Sequence, residues 1–223
     1  GNMIEGTFIV VEGIDGAGTT TQTDLLADWF RGRGLPVHTT HEPTDGPVGS
    51  LIRQVLTNRL VVNGITGPRA PAWATMALLF AADRLDHLEA EIVPNLLDGV
   101  TVISDRFDLS SLAYQTATAT GSEAEAAKVV AWVRELNRQA RRPDLTIVVN
   151  VDPEVAAHRR RQRGLATELY EDLELQRALA KAYSQADKLV PGDTVVYVDG
   201  NGTPEQVHEA MVAAVKRVRG ENG

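Results

Sequence analysis

The sequence predicts an α/β fold in which a five-stranded parallel sheet carries helices on both faces. Three observations lead there. Short, nearly continuous apolar runs recur along the chain, segments with helical apolar spacing separate them, and the first run stops at a glycine-rich turn that opens a helix. The length of 223 residues suits one α/β domain, which is expected to span residues 3–220. Gly1 and Asn2, ahead of Met3, read as a remnant of cloning or tag cleavage.

The elements follow in order. Residues 7–11 are β-branched and aromatic and form the first strand. Residues 20–30 place Leu25, Leu26 and Trp29 at helical spacing, and Gly32 and Gly34 end that helix. Residues 36–40 form a second strand, so the beginning of the chain is a βαβ unit with parallel pairing. A loop at 42–46, a helix at 48–58 and a turn-rich stretch at 63–71 come next. Residues 73–97 form a long helix whose Leu78, Leu79, Leu85, Leu88, Ile92 and Leu96 occupy overlapping faces, a pattern that asks for burial on more than one side. Residues 101–104, 145–151 and 194–198 supply the remaining strands. Ligands of such sheets collect at the carboxyl ends of the strands.

Composition removes several function classes. With 22 Lys+Arg against 30 Asp+Glu the net charge is −8, which denies the chain the broad basic field of a non-specific nucleic-acid binder. The absence of cysteine excludes disulfide scaffolds, thiolate metal sites and cysteine nucleophiles. No apolar run has the length of a membrane span and no signal-peptide pattern opens the chain, so a cytoplasmic protein is expected.

Gly13-Ile14-Asp15-Gly16-Ala17-Gly18-Thr19-Thr20 lies between the first strand and the first helix and matches the phosphate-binding pattern G-x-x-x-x-G-K-[ST] everywhere except at Thr19. Its glycines let successive N–H groups surround an anion, and the helix behind adds the positive end of its dipole. Thr20 is placed to help hold Mg²⁺, and Thr21 continues the nucleotide-binding turn. Thr19 stands where the pattern has a lysine that reaches the β- and γ-phosphates.

Two further segments can serve a nucleotide. Phe80 and Arg84 lie four apart on one face of the long helix, able to stack on a base and bond its edge; taken alone, Arg84 pairs as well with a nearby acid such as Glu91 or Asp83. Asp105-Arg106 follows the third strand at a carboxyl end, where the carboxylate can orient metal-bound water and the guanidinium can clamp an anion.

From Phe8 to about Tyr183 these residues resemble the thymidylate kinases. The signatures are Glu12-Gly13-Ile14-Asp15-Gly16-Ala17-Gly18, Leu79-Phe80-Ala81-Ala82-Asp83-Arg84 and Asp105-Arg106-Phe107 with Ser110-Ser111 and Ala113-Tyr114-Gln115, in their usual order. The resemblance implies a P-loop nucleoside monophosphate kinase fold with a lid at about 158–172, ATP as donor, dTMP as acceptor, Mg²⁺ and a homodimer. It implies that Phe80 stacks on thymine, Arg84 bonds its exocyclic oxygen, Ser111 faces its N3 edge, and Tyr114, followed by Gln115, crowds the sugar 2′ position. Arg106 and Arg53 would grip the acceptor phosphate. Asp15 would lie near the sugar 3′-hydroxyl and, with Thr20 and Asp105, near the metal. His158-Arg159-Arg160-Arg161-Gln162-Arg163-Gly164 resembles the lid of the bacterial-type enzymes, in which lid arginines are catalytic and the P-loop carries a small residue, here Gly16-Ala17; Arg159 and Arg163 share a helix face.

Two positions depart from the family pattern: Thr19 replaces its lysine, and His41 replaces the arginine that commonly precedes the Glu-Pro turn. Three readings therefore stand side by side: a dTMP kinase, a nucleotide-binding protein that has lost turnover through Thr19, and a kinase for another deoxynucleoside monophosphate.

Overall fold

The computed structural model describes residues 4–164 and 173–221. Its chain runs through β1 (Phe8–Glu12), α1 (Thr19–Gly32), β2 (Val37–His41), α2 (Pro47–Leu56), β3 (Val62–Gly64), β4 (Gly67–Arg69) and α3 (Trp73–His87). A π-helical turn (Leu88–Ile92) leads into α4 (Val93–Leu97), followed by β5 (Thr101–Asp105), α5 (Asp108–Thr118), α6 (Glu123–Leu136) and β6 (Leu145–Asn150). After α7 (Pro153–Gln162) come α8 (Leu173–Tyr183), α9 (Ala186–Leu189), β7 (Val195–Asp199) and α10 (Pro204–Val218).

The main sheet has five strands in the order β2-β5-β1-β6-β7, all parallel. β1 is therefore flanked on both sides, which is why all five of its residues are buried. Its side chains alternate between two cores. Ile9 and Val11 join Leu26, Phe30, Ile147, Val149 and Met211 on one face, whereas Phe8 and Val10 join Leu88, Ile92, Leu96, Val102 and Phe107 on the other. The carboxyl ends of β1, β2 and β5 lie side by side, with Val11 opposite Asp105 and His41 opposite Asp105.

Two elements differ from the sequence expectation. The turn-rich stretch holds a short antiparallel hairpin, β3 against β4, separate from the main sheet. The long helix is three pieces: Pro94 brings no N–H to the ladder, and the chain passes through the π-helical turn just before it. Nor is that helix buried on several sides, since Leu78 and Leu85 remain 50% and 41% exposed while Ala77, Ala81, Arg84, Leu88, Ile92 and Leu96 face inward. Among the described residues no helix is long and apolar enough to cross a membrane.

Candidate active site

The glycine-rich loop leaves β1 at Gly13 and closes on α1 at Thr19. Gly16 and Gly18 both have positive φ, 86° and 88°, which L side chains adopt only with strain. Gly16 is constrained twice, because a Cβ there would lie 2.5 Å from the Ala156 carbonyl oxygen in α7. The loop and α7 thus touch backbone to backbone, and a bulky residue at Gly16 would push them apart.

Arg106 follows β5 and also has positive φ, 83°, unusual for a residue with a side chain and a mark of a position held by its surroundings. Its N–H bonds the Val11 carbonyl at 2.9 Å, and its own carbonyl accepts from Ser104 Oγ at 2.7 Å. The guanidinium donates to the Gly13 carbonyl and to Tyr183 Oη at 3.2 Å, and lies 3.6 Å from both Asp15 and Asp105. Burial alone would lower its pKa, but Tyr183, Asp105, Asp15 and Glu12 outweigh that and hold it above the ordinary arginine value. Arg106 is accordingly charged and anchored to the phosphate loop.

Beneath it sits Glu12, fully buried at the end of β1. Phe107 N–H (2.9 Å), Ser110 N–H (3.2 Å), Ser110 Oγ (2.5 Å) and Tyr183 Oη (3.1 Å) all donate to its carboxyl group, with Arg106 Nη1 4.0 Å away. Desolvation pushes its pKa up to about 7, against the lowering influence of Arg106 and these donors. Burial, reinforced by Glu12, also pushes the Tyr183 phenol up.

A cavity of about 810 Å³ opens beside this cluster, lined by Asp15, Arg106, Phe80, Arg84, Ser111, Tyr114, Gln115 and Tyr183 among others. The structure thus brings together most of the residues predicted for an acceptor. Arg84 is 1% exposed and bonds neither Glu91 nor Asp83: Nε donates to Glu42 Oε1 at 2.9 Å and Nη1 to Asn137 Oδ1 at 2.6 Å. Asp83 instead accepts from Thr44 N–H and Oγ1. Glu42 also bonds His87 Nδ1 at 2.8 Å, so Arg84 is braced from the end of β2 and from the C-cap of α6. Arg53 does not line the cavity; its Nη2 donates to the Pro43 and Thr44 carbonyls at 2.8 Å each, and Pro43 is part of the wall. His41 turns to its own loop, bonding the Pro43 carbonyl at 2.8 Å.

A second cavity of about 420 Å³ lies on the other side, lined by Thr19, Thr20, Thr39, His41 and Asp24 among others. Asp15, Glu42, Asp105 and Arg106 line it as well, and three of these four, Asp15, Glu42 and Arg106, form walls of both cavities. Here Thr20 Oγ1 donates to Asp105 Oδ2 at 2.7 Å, while Asp105 Oδ1 is buried with no hydrogen-bond partner among the described residues. A carboxylate oxygen without a hydrogen bond, 3.6 Å from Arg106 Nε and beside a hydroxyl, fits Mg²⁺, which binds through one or two protein ligands, substrate phosphates and water. Among the described residues no group of three or more His, Cys, Asp or Glu side chains forms a full protein cage. Thr21 follows in α1, and Thr19 is 5% exposed.

The predicted lid is described only through Gly164; residues 165–172 lie outside the described residues. Arg159 donates to the Gly200 and Gly202 carbonyls at 2.8 and 3.1 Å, beyond β7, and Arg163 is the exposed C-cap of α7. Arg160 is the described lid arginine that reaches the phosphate loop, donating from Nη1 to the Asp15 carbonyl, and it is 7% exposed.

A family profile described as thymidylate kinase matches residues 11–211. The chain belongs to the thymidylate kinase family. Among similar proteins, one named "Probable thymidylate kinase" from Pyrococcus horikoshii is 38% identical over 213 residues, covering 96% of this chain and 97% of the relative. A protein of the same name from Thermococcus kodakarensis is 39% identical over 219 residues, with 96% and 99% covered. Another from Pyrobaculum aerophilum is 37% identical over 214 residues, with 95% and 97% covered.

Within this thymidylate kinase framework, sequence reasoning left four structural partners without a role: Glu12, Glu42, Asn137 and Tyr183. Glu12 and Tyr183 stand 171 positions apart, and no local spacing links them. Glu12 did carry a signal, an acid ending an otherwise apolar strand; such a residue is buried only when partnered.

Proposed function

We propose that this protein transfers the γ-phosphoryl group of ATP to dTMP, giving dTDP and ADP. The observation that carries the reading is Arg106. It stands in the wall shared by a cavity beside the phosphate loop and a cavity holding Phe80 and Arg84, where a donor phosphate and an acceptor phosphate would meet. Phosphoryl transfer asks mainly for positioning and charge stabilisation, and a fixed guanidinium supplies both.

ATP lies along residues 13–21, its phosphates cradled by the loop N–H groups and the start of α1. Phe80, half-buried in the cavity wall, stacks on thymine; Arg84 keeps N–H groups beyond those given to Glu42 and Asn137, and these bond the base edge. Ser111, Tyr114 and Gln115 complete the nucleoside pocket, and Arg53 shapes its wall through the Pro43 carbonyl. Arg106 holds the acceptor phosphate, whose oxygen is already deprotonated near neutral pH, so no strong base is required. Thr20 and Asp105, with Asp15 nearby, would hold Mg²⁺, which would supply charge neutralisation for the phosphates. Arg159 and Arg163 belong to the lid over the donor, and residues 3–220 act as one domain. The half-exposed Leu78 and Leu85, one heptad apart on α3, suit the interface of a homodimer, and a cytoplasmic site of action fits an ATP-dependent kinase without cysteine.

The test is coupled ADP release with dTMP, dUMP, dCMP, dGMP or no acceptor, with Mg²⁺ and with chelator, beside calorimetric titration of each nucleotide. Turnover selective for dTMP and lost on chelation is expected. Tight binding without turnover, or preference for another acceptor, overturns the reading.

A further inference from the structure

Thr19 leaves the phosphate loop without the cation its pattern calls for, and the threonine side chain is itself 5% exposed. Yet cations do grip this loop. Arg106 donates to the carbonyl of Gly13 on one side, and Arg160 donates to the carbonyl of Asp15 on the other. Burying an arginine to 7% exposure is costly unless its donors are used, and Arg160 uses one on the loop itself. Its place there is enforced by packing, since α7 approaches so closely at Ala156 that Gly16 has room for no side chain.

We infer that Arg160 is a positioning residue for the donor phosphates and takes over part of the task of the absent P-loop lysine. The route is the peptide between Asp15 and Gly16. A guanidinium N–H on the Asp15 carbonyl polarises that peptide and makes the Gly16 N–H, in the stretch of loop that cradles phosphate, a stronger donor. The full charge behind it also lies within the partly desolvated surroundings of the loop, where screening by water is weak. Arg159, tied to the Gly200 and Gly202 carbonyls, and Arg163, exposed at the C-cap of α7, make no such contact with the loop. The inference rests on the kinase reading in that it treats residues 13–20 as the ATP phosphate site.

The test is a double-mutant cycle between Arg160 and Thr19 in the full chain, read by calorimetric ADP affinity and by ATP KM and kcat. Arg160→Gln is expected to weaken ADP about ten-fold or more while leaving dTMP affinity within about two-fold, as for loss of a charge-assisted contact. In the Thr19→Lys background, where the lysine charge is restored, the same change is expected to cost less than about three-fold. Arg160→Lys, which keeps the charge but not the fork, should fall between, and it carries the comparison if Arg160→Gln does not fold. Equal losses in the two backgrounds, or none in the Thr19 chain, overturn the inference. Because ADP affinity is measured without an acceptor, the coupling survives even if dTMP is not turned over, so failure of the kinase reading and failure of this inference are separable.

Discussion

Glu12→Gln should change how stability depends on pH. The carboxyl group is fully buried, its folded pKa is about 7 and its ordinary value is 4.5, so between those limits the native state keeps a proton that the unfolded chain has released. The stabilisation from this group is complete below pH 4.5 and is lost as pH rises through 7. At about 1.4 kcal/mol per pH unit the gap is worth about 3 kcal/mol, or about 6–12 °C in Tm for a chain of this size. Glutamine keeps an oxygen for the Phe107 and Ser110 N–H groups and turns its amide toward Ser110 Oγ and Tyr183 Oη, both able to accept. The variant therefore gains on the wild type as pH rises from 4.5 to 8, by up to about 3 kcal/mol. Thermal melts of both proteins at matched ionic strength across that range measure the difference, in which every other titrating group cancels. Parallel curves would show that Glu12 does not titrate there and that its donors and Arg106 already hold it ionised at pH 5.

Phe80→Ala should raise the dTMP KM about ten-fold or more and spare ATP, because base stacking is worth ~1–3 kcal/mol; a large fall in Tm without that kinetic selectivity would make Phe80 a core residue instead. Arg106→Ala should lower kcat by at least ~10²-fold and weaken dTMP more than ADP; equal loss of both nucleotides in titrations would reduce Arg106 to a strut for the loop at Gly13. Gly16→Ala, at φ 86° and with its new methyl 2.5 Å from the Ala156 carbonyl, should cost ~1 kcal/mol or more in melts and weaken ADP, since loop and α7 must separate. Arg163→Ala should cost ~10²-fold in kcat with nucleotide affinities little changed, read by steady-state kinetics beside calorimetry.

Much of this architecture is legible in the amino-acid sequence. Near-continuous apolar runs alternating with helices point to central strands of a covered parallel sheet, and a glycine-rich turn leading from strand to helix sits at a carboxyl edge. These are local rules, and the positions of β1, β5 and β6 obey them to within a residue or two. The same holds for Phe80 and Arg84, whose shared face follows from helical geometry alone. The local rules missed the π-helical turn ahead of Pro94 and the hairpin at β3 and β4, both beside proline or glycine, where periodicity is interrupted.

The sheet, the phosphate loop and the family signatures follow from period, turn chemistry and motif spacing, which act over a few residues. Tertiary structure alone decided the partners. Arg84 could have met Glu91 or Asp83 on its own helix, yet at 1% exposure a buried guanidinium is costly without partners, and Glu42 and Asn137, 42 and 53 positions away, supply them. Likewise the run of lid arginines has no internal mark that separates Arg160 from Arg159 and Arg163. The close approach of α7 to Gly16 makes that distinction, turning one of them onto the Asp15 carbonyl and sending another to the far end of the sheet. Desolvation depends on what the rest of the chain excludes from water, and spacing along the sequence holds no record of it.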